Sequence, residues 1–180
     1  MTKEFSLKAE SVRTCAEEFN QLETLQERKD AIWDYLIKKL RFDDLHAAAI
    51  MGNIAIETGP TSFRSTQVQG KSDTYINHNA IFEKGLGCGL LQWADNTRKP
   101  GLLSFAKDNN GSVWDYNIQL EFMVYEGTHT EIEAYSGFLS KEGLKSACDY
   151  FCIYFERPGQ PDLDARSTAA WELLGYYSRS

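Results

Sequence analysis

Cysteine is scarce in this chain of 180 residues: Cys15, Cys88, Cys148 and Cys152 are too few for a disulfide scaffold at this length. Cys148 and Cys152 stand one helical turn apart among Tyr150, Phe151 and Phe155. With no histidine near them in sequence, they read as buried thiols rather than as a metal site. Histidine is scarcer still. His46, His78 and His129 are scattered, no His-Glu-x-x-His occurs, and no metal and no cofactor is expected. Positive charge is also short. A formal net charge of −7 without any basic run argues against nucleic acid as a partner. No apolar run reaches the roughly 18 to 20 residues of a membrane span. The opening Met1-Thr-Lys-Glu-Phe-Ser-Leu-Lys8 lacks the apolar core of a secretory signal, so no signal peptide is expected. Internal repeats and low-complexity segments are missing too.

What is present is a globular composition, 42% hydrophobic and 13% aromatic, which excludes disorder and suits one domain with an arm. Val12, Cys15, Phe19, Leu22 and Leu25 recur at steps of three and four, predicting an amphipathic helical arm over 1–30 that docks on the rest. A second helix is expected from Lys29-Asp30 to Leu40, with Ile32, Tyr35, Leu36 and Leu40 on one side. The domain proper is expected over 31–180. Further helices are expected over 113–127 and 142–155, and from Leu163 to Tyr177. A helix beginning at Leu90-Leu-Gln-Trp93 and running on past Arg98 is expected as well. Glu156-Arg157 reads as an acid–base pair at a helix end.

The chain is organised around Leu45-His-Ala-Ala-Ala-Ile-Met-Gly-Asn-Ile-Ala-Ile56, twelve small and apolar residues without a charge. Asp43 or Asp44 caps such a helix and Gly59-Pro60 stops it. Apolar residues on nearly every side imply burial all round, and Ala48, Gly52 and Ala55 let neighbours approach. Glu57 is then the one acid at the C-terminal end of a core helix. The helix dipole and any desolvation there both disfavour its charged form, which suits a general acid. The other reading is a surface glutamate at a frayed helix end.

Residues 58–86 lack a strong helical period. Gln67 to Ile76 fits a short hairpin turning at Gly70-Lys71, whose polar amides and Tyr75 suit a carbohydrate cleft; a surface loop is the alternative. Gly85-Leu-Gly-Cys-Gly-Leu-Leu-Gln-Trp93 follows. Its alternate glycines, Gly89 included, let backbone pass close to a neighbour or ligand. It is no phosphate loop, because no Lys-Ser/Thr follows. Gln92 and Trp93 fit a sugar platform, and Trp93 fits a core position equally well.

Three motifs now stand in order: Met51-Gly-Asn-Ile-x-x-Glu57-Thr58 behind Ile32-Trp33; Gly87-x-Gly-Leu-x-Gln-Trp93 with Arg98 behind it; and Tyr154-Phe-Glu-Arg-Pro158 with Arg166 and Ala169. Together, over about residues 31 to 176, they resemble the phage tail lysozyme family, within the lysozyme-like superfamily. The resemblance implies a mainly α (α+β) lysozyme-like domain with a small β-hairpin beside a cleft. It implies cleavage of the β-1,4 bond between N-acetylmuramic acid and N-acetylglucosamine in peptidoglycan. Glu57 matches the family's catalytic glutamate, with Thr58 where serine is usual. Tyr75, Gly89, Gln92, Trp93 and Arg98 are the expected substrate-binding residues. A paired-carboxylate mechanism needs a second acid; Asp73 is the first candidate, followed by Glu83 and Asp95. Glycan strands and other phage tail proteins are the expected partners, at the phage tail or released to the cell wall. Three alternatives stand beside this reading: a lytic transglycosylase or chitinase-like glycosidase, a non-catalytic wall-binding tail module, and a thiol or metallo-peptidase.

Overall fold

The structure, a computed structural model, describes residues 24–71, 78–94 and 97–179. The arm up to residue 23, Asp73, Tyr75 and Asp95 lie outside the described residues. Among the described residues the architecture is helical: α1 (Leu25–Asp34), α2 (Asp44–Thr58), α3 (Arg98–Asp108), α4 (Tyr116–His129), α5 (Ile132–Leu139), α6 (Leu144–Tyr150) and α7 (Leu163–Tyr177).

The second expected helix begins earlier than Lys29. Thr24 caps α1: its Oγ1 accepts from Glu27 N (3.2 Å), and Glu27 reaches back to Thr24 N (2.9 Å). This reciprocal box satisfies two donors that a helix start otherwise leaves bare. α1 continues into wider turns over Tyr35–Lys39, closed by Leu40 N to Tyr35 O at 3.0 Å, and buries Ile32, Trp33 and Leu36.

α2 is the core. The Asp43 side chain caps it through His46 N (2.8 Å), and Gly59 (φ 88°) ends it. Every residue from Ala47 to Ala55 is buried. Ile50, Met51 and Ile54 alone each contribute about 1.5–3 kcal/mol of apolar burial. α6 and α7 pack against it. At Gly52 the approach of α7 is so close that a Cβ would sit 2.6 Å from Arg166 O and 2.7 Å from Ala170 Cβ.

No hairpin is present among the described residues, and the return half of the expected one, residues 72–76, lies outside them. Lys71 N does close a turn on Val68 O (3.1 Å), but residues 67–69 pair with the glycine-rich segment instead. Gln69 N donates to Gly87 O and Gly89 N to Gln67 O, both at 2.8 Å, leaving single antiparallel bridges Val68–Cys88 and Cys88–Trp93. The glycines give the physical reason: a Cβ on Gly87 would press on the Gln69 and Gln92 side chains at 3.2 and 3.0 Å.

The expected helix start at Leu90 is corrected as well. Gly89 (φ 84°) and Gln92 (φ 47°) turn the chain left-handed, Cys88 N meets Trp93 O (3.3 Å), and α3 waits until Arg98. α5, which buries Tyr135 and Phe138, was not expected. α7 falls where the sequence puts it. α6 runs on as wider turns over Phe151–Glu156, ended by left-handed Arg157 (φ 57°).

Candidate active site

Glu57 occupies the last turn of α2, where Thr58 closes the helix. The Thr58 hydroxyl donates to Ile54 O (2.8 Å) and accepts from Phe63 N (3.2 Å), pinning the loop that leaves the helix. The Glu57 side chain is 15% exposed, neither free in solvent nor sealed. Its Oε1 accepts from Arg166 Nη2. This partner comes from α7, 109 positions away in sequence.

Arg166 is 2% exposed and fully engaged. Nη1 donates to Asn53 Oδ1 (2.9 Å) and to Glu156 Oε2 (2.6 Å), and Nε donates to Pro161 O (2.6 Å). Asn53 lies one turn before Glu57 on the same face of α2. It is itself fixed by donating to Ala49 O (2.9 Å) and Cys148 O (3.2 Å). One guanidinium therefore holds two carboxyls, with a buried amide setting its orientation. Burial and the neighbouring Glu57 push the Glu156 carboxyl up to about 8, against the opposing pull of Arg166 and Arg98.

A second clamp lies behind. Arg98 grips Glu126 with two parallel bonds (Nε to Oε1 and Nη2 to Oε2, both 2.8 Å), and Trp93 Nε1 donates to Glu126 Oε2 (3.0 Å). Arg98 Nη1 also reaches Phe155 O (3.1 Å), one residue before Glu156. Bidentate pairing of this kind fixes geometry as well as charge.

Between these clamps and the 67–70 turn opens a cleft of about 380 Å³. Glu57, Gln67, Gln69 and Gln92 are among its lining residues, and Glu156-Arg157-Pro158-Gly159 forms one edge. A matching family model, described as phage tail lysozyme, covers residues 27–177. The chain belongs to the phage tail lysozyme family. No curated protein and no solved structure matches it. With this family goes a lysozyme-like, peptidoglycan-degrading activity and an association with phage tails.

In this phage tail lysozyme the cleft brings together Glu57, Gln92, Trp93 and Arg98 of the residues singled out by sequence. Trp93 is only 2% exposed and packs tilted on Phe122, so its ring belongs to the core. Gly89 sits behind the wall, where a Cβ would meet Gln119 Oε1 at 2.8 Å. Gln92 Nε2 is bonded to Gly89 O (2.7 Å), which braces the turn. Glu83 belongs to a different hollow, beside Phe82 and Lys99.

Glu156 does not pair with Arg157. The chain turns left-handed at Arg157 (φ 57°), and its side chain forks onto Glu131 (2.9 Å for both bonds). The sequence gives neither Asn53 nor Arg166 a role of its own. Their only trace there is a place in the first and third motifs.

Cys148 and Cys152 are buried free thiols, as expected, and Cys88 is buried and free as well. Burial pushes the Cys88 thiol up to about 11 and the other two up to about 12, the reverse of what a nucleophilic cysteine needs. Among the described residues no three His, Cys, Asp or Glu side chains gather as a metal site. No helix there is long and apolar enough to cross a membrane.

Proposed function

We propose that the chain is a muramidase: it cleaves the β-1,4 bond between N-acetylmuramic acid and N-acetylglucosamine, with Glu57 as the general acid. The observation that carries this reading is the position of Glu57, rigidly held at the end of a buried helix and part-exposed in an amide-lined cleft. A glycan strand is polar along its length and needs such donors and acceptors. Proton delivery to the glycosidic oxygen is the one step a positioned carboxyl supplies directly, typically 10²–10⁴-fold in rate.

Asp73 remains the proposed second carboxyl, acting as base or nucleophile on the opposite face of the sugar ring. Tyr75, Gln92 and Arg98 are proposed to contact the strand, while Trp93 and Gly89 shape the wall those contacts need. The deciding experiment is mass spectrometry of soluble fragments from purified peptidoglycan, wild type beside Glu57→Gln. Reducing-end muramic acid from wild type alone is the expected result. Anhydro-muramic acid moves the reading to a lytic transglycosylase, reducing-end glucosamine to a glucosaminidase, and binding without release to a wall-binding module. Equal release by the Glu57→Gln variant removes Glu57 from the mechanism.

A further inference from the structure

Glu156 is the group at the site that the reaction described above leaves unused. Its side chain is 2% exposed, and it has one bond, Oε2 to Arg166 Nη1. Its Oε1 is buried without a hydrogen-bond partner among the described residues. A carboxylate buried with one bare oxygen is a costly ion, and a proton on that oxygen removes the cost. The charges around it lead to the same conclusion. Glu57 from α2 and Glu156 share the single positive charge of Arg166 from α7. Arg98 from α3 is already neutralised by Glu126 from α4, and Arg157 by Glu131. The nearby Cys148 and Cys152 thiols stay neutral. With both glutamates ionised the cluster carries one uncompensated negative charge in a desolvated place. One proton makes it neutral.

We propose that Glu156 is a positioning residue for the acid: Glu57 and Glu156, held on one Arg166 guanidinium, form a pair that carries a single proton through neutral pH. The proton rests on the buried Glu156 oxygen and passes to Glu57, the member open to the cleft, by exchange through cleft water. The Glu57 O–H bond breaks as the new O–H bond to the leaving sugar forms and the glycosidic C–O bond breaks, and a proton from the water that attacks the sugar reloads the pair. Two carboxyls this close titrate as a unit rather than as separate residues. Without Glu156, the Glu57 carboxylate and the Arg166 guanidinium already balance, and nothing in the cluster calls for a proton. The proposal rests on Glu57 being the acid.

The test is the pH–rate profile of fragment release for wild type, Glu156→Gln and Glu57→Gln. Glu156→Gln should move the alkaline limb down by at least one pH unit, so that the ratio of the rate at pH 5 to that at pH 8 rises about tenfold. A limb that stays in place, with the rate lowered uniformly, makes Glu156 a merely structural group and overturns the proposal. Activity in Glu57→Gln is a separate failure, that of the acid assignment itself. A measurement on the wild-type protein needs no variant to fold: ¹³Cδ-glutamate NMR should show one carboxyl step near pH 8. If every glutamate titrates below about pH 5.5, the pair holds no proton at neutrality and the proposal falls.

Discussion

Gly52→Ala tests whether the site depends on how closely α7 approaches α2. In an ordinary helix interior this change stabilises, by about 1 kcal/mol of propensity. Here the added Cβ would stand 2.6 Å from Arg166 O, 2.7 Å from Ala170 Cβ and 2.9 Å from Ala170 N. Two of the three are backbone atoms, so no side-chain rotation relieves the contact. α7 must retreat by something on the order of 1 Å to restore van der Waals separation, and overpacking of this kind costs about 1–3 kcal/mol or more. With a clash at the upper end of that range, because the contacts are to backbone, the net loss after the propensity gain reaches about 2 kcal/mol, a Tm lower by about 4–8 °C at this chain length. The retreat carries Arg166 away from Glu57, and misplacement on that scale can cost about 10²-fold in rate. The assays are urea unfolding and fragment release. Gly175→Ala, also in α7, is the control, because its Cβ would meet only the end of Arg179 at an ordinary 3.5 Å; it should be neutral or slightly stabilising. If Gly52→Ala proves as stable as wild type, the close helix contact is refuted, and with it the account of how Arg166 is placed.

Two further outcomes follow from the same geometry. Glu156 has a raised folded-state value, so its contribution to stability is fully present below its ordinary 4.5 and is lost as pH rises through about 8. At about 1.4 kcal/mol for each pH unit between those values, the loss is on the order of 5 kcal/mol; Glu156→Gln should remove it, and urea midpoints that fall equally in both proteins between pH 5 and pH 9 would falsify the raised value. Gln119 donates to Ser65 O (2.9 Å) and Val113 O (2.7 Å) and accepts from Leu90 N (2.8 Å). Gln119→Leu removes all three bonds, and an unmade buried bond costs about 1–3 kcal/mol, so it should destabilise by several kcal/mol in chemical unfolding; a loss under about 1 kcal/mol would mean that those groups find other partners.

Much of the core was legible because its signals are local. Asp43, a charge-free run and Gly59-Pro60 sit next to one another in sequence, and α2 begins and ends where they say. The pairing of residues 67–69 was not, because their partner is the 87–89 segment, some twenty residues downstream. A local alternation of residues cannot name so distant a partner. α5 was missed for a related reason: Ile132-Glu-Ala-Tyr-Ser-Gly-Phe-Leu139 is short, with serine and glycine inside it, and tertiary burial of Tyr135 and Phe138 is what holds it. At the site, the place of Glu57 at the end of a buried helix was legible. Its counter-ion was not, since a buried arginine on the last helix carries no local sign of what it faces.

The wider turns that end α6 belong to the same logic. From Phe151 the backbone bonds reach five residues back, Arg157 N meeting Cys152 O at 2.8 Å. Such turns are rare and concentrate at functional sites. Each residue of an α-helix advances about 100° around the axis, so accommodating one residue more in a turn re-aims every later side chain by about that much. Both arginine clamps close on the end of this segment: Arg98 takes the Phe155 carbonyl and Arg166 takes the Glu156 carboxyl. A regular helix through 151–156 would aim Glu156 away from Arg166, leaving Glu57 alone on the guanidinium. The wider turns therefore aim Glu156 at the guanidinium that also holds Glu57, and they join the third sequence motif to the first.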